Sequence, residues 1–362
     1  MLSNQRKLKL ALLIPAHNEE VVIQATIRRA IKTGQTKRDI YVVSDGSSDK
    51  TVKLAKELLG PDHVLAVKHS GKAGAIKKAL KRFEICERYT WMHVADADSL
   101  FGANYFKVFR RGLDAKHYVA VTGYVQSQPG DWVSKFRVYE YTLAFTLIRR
   151  LQALFGVITV MPGPTSCLRT DIIKHLDFTA GSLTEDFDIT VQIHRKKLGR
   201  IRYVAKAKTY TQDPQNLHDY IEQVSRWYRG FFQGVRAHRL GLRPRRLDAY
   251  VIFLIGQTVL YTLELVVWLP LLVILTHRGY DVSIFFVSEL VVYFALAAIC
   301  AQIARRLDIL SAFPLFYFLR LLNLYIFIKA FVEVILLKRF SEGLVGWSTT
   351  NRRYLMTAEL AK

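Results

Sequence analysis

The chemistry-bearing residues of this chain are carboxylates that follow short apolar runs. Asp96-Ala97-Asp98 comes directly after Trp91–Ala95. Two acids one residue apart at a strand end can both reach toward a hard cation and its phosphate ligands, and Mg2+ or Mn2+ suits such oxygen sites. In a solvated turn the same triplet would carry no chemistry, so its position gives it weight. Ser44-Asp45-Gly46-Ser47-Ser48-Asp49 follows Ile40–Val43; here Asp49 equally suits a helix cap and Gly46 a turn. Gly71-Lys72-Ala73-Gly74 offers a pliable backbone and one point charge where a phosphate would lie, or an ordinary loop. Thr184-Glu185-Asp186 precedes an amphipathic helix, where alone it would read as a cap with acids complementing the helix dipole.

These groups need elements to position them. Apolar runs predict strands at Leu8–Pro15, Ile40–Val43, Val64–Val67, Thr90–Ala95 and Tyr118–Gly123. Helical spacing predicts helices at Glu19–Lys32, Lys50–Leu59, Ala73–Cys86 and Asn104–Gly112. Such alternation implies an α/β domain with a mainly parallel sheet and flanking helices. In such sheets ligands bind outside the carboxyl ends of the strands. The polar clusters 16–20, 44–50, 68–74 and 96–99 fall there. The N-terminal Leu10–Ala16 is short and runs into His17-Asn18-Glu19-Glu20, which reads as a buried strand and not a signal peptide, keeping the N-terminus cytoplasmic.

After residue 248 the character changes. Ala249–Leu275 contains one charge, Glu264, and Val282–Ala304 one, Glu289. At about 1.5 Å per residue each crosses a ~30 Å hydrocarbon core as a helix. Arg226–Arg246 carries seven arginines and no acid, and Arg305-Arg306 follows the second run. The positive-inside rule therefore puts residues 1–248 and 305–308 in the cytoplasm. Ile309–Leu337 is also apolar but holds Pro314, Arg320, Asn323, Lys329 and Glu333. Charges at bilayer depth cost roughly 2.5–3.5 kcal/mol each, so this segment is expected to bend at Pro314 and lie in the interface or re-enter. The resulting division is a catalytic domain (1–210), an interfacial helix region (211–248), a membrane region (249–337) and a basic cytoplasmic tail (338–362). Lys+Arg outnumber Asp+Glu by 52 to 30, a net +22 that calls for an anionic partner. Nucleic acid is excluded as that partner by the apolar runs and the lack of recognition motifs. Three widely spaced cysteines suit neither a disulfide framework nor a zinc site.

Taken in order, these segments resemble the membrane-bound branch of the family-2 glycosyltransferases, which have the GT-A fold. That branch includes cellulose, chitin, hyaluronan, chitooligosaccharide and poly-N-acetylglucosamine synthases. The likeness covers nearly the whole chain. Leu13-Ile14-Pro15-Ala16-His17-Asn18-Glu19 looks like the family's opening strand and loop, and Gln223-Val224-Ser225-Arg226-Trp227 is the most specific match. The resemblance implies that Asp45 contacts uridine, Lys72 and Arg226 the diphosphate, Asp96 the nucleotide and Asp98 the metal, Mg2+ or Mn2+. It implies that Asp186 is the general base, with Glu185, Trp227, Gly163 and Thr165 on the acceptor side. Trp227 suits equally an anchor at the membrane surface. Gly163–Arg169 resembles the loop shaping the acceptor end, although its wording departs from the usual small-residue versions. The helix 132–155, with Tyr139-Glu140-Tyr141, Arg149 and Arg150, looks like the family's first interfacial helix, or a helix packed in the domain. Gly346–Arg353 resembles a cytoplasmic loop that would bring Trp347 and Arg352 to the active-site mouth.

The implied activity is inverting, metal-dependent transfer of a sugar, N-acetylglucosamine foremost, from a UDP-sugar donor to a growing β-linked glycan acceptor at the cytoplasmic face of the cell membrane. The implied partners are membrane lipid and, because few helices are available to wall a pore, a second copy or another membrane subunit. Two rivals stand beside it: a single transfer to a lipid or other membrane acceptor, and a non-enzymatic sugar-nucleotide sensor. A sensor would have no use for a base at Asp186.

Overall fold

The computed structural model describes residues 9–128, 130–178 and 182–339. Eight strands form one sheet in the order β3-β2-β1-β4-β7-β6-β8-β5. They are β1 (Leu10–Ala16), β2 (Ile40–Asp45), β3 (Val64–Val67), β4 (Trp91–Val94), β5 (Leu100–Phe101), β6 (Tyr118–Ser127), β7 (Cys167–Arg169) and β8 (Arg200–Thr211). Alternate residues of β1 and β2 go to opposite faces, as the two-residue strand period demands. Leu13, Tyr41 and Val43 enter one core. Leu12, Ile14, Ile40 and Val42 enter the other. β3, β2, β1 and β4 run parallel, so their carboxyl ends share one edge.

The helices of the domain are α1 (Ile23–Lys32), α2 (Thr51–Leu59), α3 (Gly71–Arg82), α4 (Ile85–Arg88), α5 (Tyr105–Gly112), α6 (Trp132–Leu143), α7 (Arg149–Phe155), α8 (Thr170–Ile173) and α9 (Glu185–Arg195). A π-helical turn, Ala144–Ile148, makes α6 and α7 continuous. Beyond the domain follow α10 (Leu217–Ala237), α11 (Arg246–His277), α12 (Ser283–Ala304) and α13 (Phe313–Phe331).

The structure alters several expectations. The sheet is mixed: β6 and β8 add a further parallel pair, but β7 runs antiparallel to β4 and β6, and β5 antiparallel to β8. The three-residue β7 enters between β4 and β6 in the opposite direction, after the connection that carries α6 and α7. The helix expected over 73–86 starts at Gly71 and breaks at Glu84, whose φ of 51° is left-handed. Pro314 does not bend a helix; it sits in the first turn of α13, where its missing N–H costs nothing. α12 packs on α6, Tyr293 meeting Tyr139 edge-on with ring centres 5.6 Å apart. α13 packs on α6 through Phe316 and Phe136 and on α10 through Phe327 and Phe232. Among the described residues α12 is a helix long and apolar enough to cross a membrane. Trp347 and Arg352 lie outside the described residues.

Candidate active site

The parallel strands deliver their following loops to one edge. β1 ends at Ala16 and leads to Glu19, which is buried with its N–H held by Thr51 Oγ1 at 2.8 Å. β4 leads to Asp96 and Asp98. Asp98 is 3% exposed and accepts from Thr211 Oγ1 at 3.3 Å and the Gln212 N–H at 3.4 Å. Asp96 Oδ1 lies 2.6 Å from Lys72 Nζ, and the same ammonium lies 2.6 Å from Glu185 Oε1. Burial works against the Lys72 charge, but Asp96, Glu185 and Asp186 outweigh it and hold the ammonium well above its ordinary range. One cation thus ties the end of β4 to the start of α9. Gly163 makes this approach possible: a Cβ there would stand 2.8 Å from both Asp96 carboxylate oxygens and from Lys72 Nζ.

Asp186 sits one residue into α9 and accepts the Phe187 N–H at 2.8 Å. Burial and the neighbouring Glu185 push its carboxyl up to about 6, with Lys72 pulling the other way. A carboxylate poised near neutrality and still ionised is what a general base requires.

The opposite wall is α10. Its Gly230 lies so close on Thr184 that a Cβ would overlap both the hydroxyl and the methyl of that threonine. This contact presses α10 onto the start of α9 and sets Arg226 and Trp227 across from the acids. The cavity between these walls measures about 750 Å³ and runs from Asp96 and Asp98 past Asp186 and Trp227 to Gln257 on α11 and Phe327 on α13. Arg226 Nε is buried without a hydrogen-bond partner. A cation so placed, beside oxygen-rich acids, suits an anion carried into the cavity.

Residues 8–230 match the family described as glycosyltransferase like family 2. The chain belongs to this glycosyltransferase family. A poly-β-1,6-N-acetyl-D-glucosamine synthase of Staphylococcus epidermidis is 23% identical over 95% of this chain and 87% of its own length. The Staphylococcus aureus synthase of the same name is 24% identical over 60% of this chain and 53% of its own. Among solved structures, the mannosyltransferase PcManGT of Pyrobaculum calidifontis, in complex with GDP-Man and Mn2+, shares the fold. Its TM-score is 0.58 at 15% identity, covering 86% of this chain and 87% of that one.

In this glycosyltransferase Lys72, Asp96, Asp98, Gly163, Glu185, Asp186, Arg226 and Trp227 all line the one cavity. Glu185 is engaged by Lys72 there. Asp45 is not on the wall: it is fully buried, with Oδ1 taken by the Ser70 N–H at 2.7 Å and Oδ2 3.0 Å from His69 Nδ1. It underlies Ser70 and Gly71, which do line the cavity. Thr165 is also fully buried, its hydroxyl 3.0 Å from that of Thr122. Gln212 and Arg137 escaped the sequence reading. Gln212 lies in a loop without a motif, and Arg137 lies on a helix whose pattern signals packing. Asp96 and Asp98 offer paired carboxylates to the cavity, a donor set that fits Mg2+ or Mn2+.

Proposed function

We propose that this enzyme transfers a sugar, N-acetylglucosamine foremost, from a UDP donor to the end of a β-linked polysaccharide, with inversion, at the cytoplasmic face of the cell membrane. One observation carries the reading: Asp186, half-buried and with its carboxyl raised to about 6, lines the same cavity as the Asp96–Asp98 pair and Arg226, whose Nε is without a partner. Similarity to poly-N-acetylglucosamine synthases over nearly the whole chain supports the sugar and the polymer.

Asp98, with Asp96, would hold a divalent cation that draws off charge from the leaving diphosphate when bound. Lys72 and Arg226 contribute fixed positive charge to the same group. Asp186 takes the proton of the acceptor hydroxyl as its oxygen attacks the anomeric carbon and the bond to the diphosphate breaks. Trp227 offers a flat apolar face to the acceptor ring. Asp45, beneath the loop carrying Ser70 and Gly71, supports the nucleotide end.

The test incubates membranes containing the enzyme with labelled nucleotide sugars and Mg2+ or Mn2+, then sizes the products. A ladder built from UDP-N-acetylglucosamine is expected, and excess chelator should abolish it. A single labelled lipid product would replace the polymer with one transfer to a membrane acceptor. Incorporation only from the nucleotide of another base would overturn the donor.

A further inference from the structure

Arg137 on α6 is 3% exposed and is not among the residues lining the catalytic cavity. Its guanidinium lies between two rings, 4.6 Å from the Tyr220 centre and 4.7 Å from that of Trp227. Nη1 donates to Glu140 Oε2 and Nη2 to Gln223 Oε1, each at 2.8 Å. The other Glu140 oxygen accepts from Asn323 Nδ2 at 3.0 Å. Asn323 Oδ1 in turn accepts from the Tyr220 hydroxyl at 2.7 Å. The circuit closes on itself: Arg137, Glu140, Asn323, Tyr220 and back to Arg137 by stacking. It joins α6, α10 and α13.

Two features make this more than a buried ion pair. First, Trp227 lines the catalytic cavity while Arg137, which does not, stands 4.7 Å from the centre of its ring. A planar guanidinium held by two forked hydrogen bonds is rigid in a way a lysine ammonium cannot be. Second, Asn323 lines a separate cavity of about 480 Å³ between α11 and α13, and that cavity shares Tyr228, Gln257, Thr258 and Phe327 with the catalytic one. The circuit therefore has one end at the acceptor face and the other in the adjoining compartment.

We infer that Arg137 is a positioning residue for acceptor binding: it orients the Trp227 ring, and through Glu140 and Asn323 it ties that orientation to the cavity between α11 and α13. The inference rests on Trp227 being the acceptor platform, and its test separates the two. The full chain, in lipid nanodiscs, is labelled with 5-fluorotryptophan, and the Trp227 fluorine resonance is assigned by its loss in Trp227→Phe. Arg137→Met is expected to shift and broaden that resonance and leave the other tryptophans in place. Asn323→Ala should move it in the same direction by less. If Arg137→Met does not fold, Arg137→Lys keeps the charge, loses the fork and should give the same displacement. An unmoved Trp227 resonance in the folded Arg137 variant overturns the inference, whatever the enzyme's substrate.

The kinetic arm measures acceptor and donor separately. Arg137→Met should raise the acceptor KM about tenfold to thirtyfold, the worth of a desolvated cation–π contact, with the donor KM within twofold. In a Trp227→Ala background it should add nothing further. Additive losses would make Arg137 merely structural and overturn the inference. A wild-type enzyme that transfers from no UDP-sugar, with the fluorine displacement intact, would overturn the proposed function and leave the positioning role standing.

Discussion

Asp186 is held near neutrality by competing forces: burial and Glu185 raise its proton affinity, and Lys72 lowers it. Replacing it with asparagine keeps shape and hydrogen bonding but removes the proton acceptor. Asp186→Asn should lower kcat by about 10²–10⁴ and leave donor affinity near wild type; turnover close to wild type would make Asp186 structural. The pH dependence follows in sign. Only the ionised carboxylate accepts a proton, so kcat should fall as pH drops below about 6, with a slope approaching tenfold per unit. A cation bound on Asp96 and Asp98 would draw the acid limb lower, never higher, so a limb above pH 7 would sink the assignment. Gly163 carries the second residue-scale prediction. Its missing Cβ is space occupied by the Asp96 carboxylate and the Lys72 ammonium. Gly163→Ala should force them apart and weaken donor binding by about tenfold or more, the outcome of a displaced charge pair; calorimetric titration with the nucleotide sugar measures it. Unchanged affinity would mean that the loop yields without disturbing the pair. Asp96, Asp98 and Lys72 were legible in the sequence because each lies shortly after an apolar run that ends a strand, and Asp186 only through the likeness of Thr184-Glu185-Asp186 to the family's motif. Arg137 was not, because a buried arginine is recognised only by its partners, and Gln223 is 86 residues away and Asn323 further still.

At the scale of elements, the decisive contact is α10 on α9. Overlap of a Gly230 Cβ with Thr184 leaves no room for any larger residue. Gly230→Ala should lift α10, separate Trp227 and Arg226 from Asp186, and cost about 1–3 kcal/mol in stability, as overpacking does. Thr184→Ala in the same chain removes both overlapping atoms and should recover much of the loss in Tm and in kcat/KM. Additive damage in the double variant would show that the two residues do not act through this contact. Sequence pattern was a good guide to β1 through β4 and to α1, α2, α3 and α5, where apolar runs and helical spacing alternate locally. It was blind to β5, β7 and β8. β8 carries Arg200, Arg202, Lys206 and Lys208 at alternating positions, a two-residue period that does mark a half-exposed strand and that was passed over because its charges made the segment look like surface loop. β7 is three residues long and acquires its identity only from β4 and β6 on either side. Such pairings depend on distant segments that no local window contains, and they are what turned an expected mainly parallel sheet into a mixed one.

For the whole molecule, the question is what covers α11 and α12. α11 spans 32 residues and α12 spans 22, about 48 and 33 Å of helix at the standard rise, each enough for a ~30 Å hydrocarbon core. The inner end of α12 packs on the domain, with Tyr293, Ala297 and Cys300 buried. Its outer half does not: Ile284, Val287 and Val291 are 68%, 56% and 61% exposed. On α11, Leu260, Val267 and Val273 are 68%, 59% and 60% exposed. Apolar surface on this scale, on two successive helices, is stable only against lipid or another protein. Charge chooses the orientation. Arg243, Arg245 and Arg246 sit at the start of α11 and Arg305 and Arg306 at the end of α12, whereas the turn between the helices, residues 278–282, holds one arginine and one aspartate. We propose that both helices cross the membrane, which by the positive-inside rule would put the arginine-rich ends and the catalytic cavity on the cytoplasmic side and the turn outside. Single cysteines placed at Asp281 and Leu307, in a chain whose own three cysteines are replaced by alanine, decide the matter. A membrane-impermeant maleimide should label Asp281→Cys on intact cells and Leu307→Cys only after permeabilisation. Labelling of Leu307→Cys from outside, or silence of Asp281→Cys until the cells are opened, would reverse or abolish the crossing and move the catalytic cavity with it.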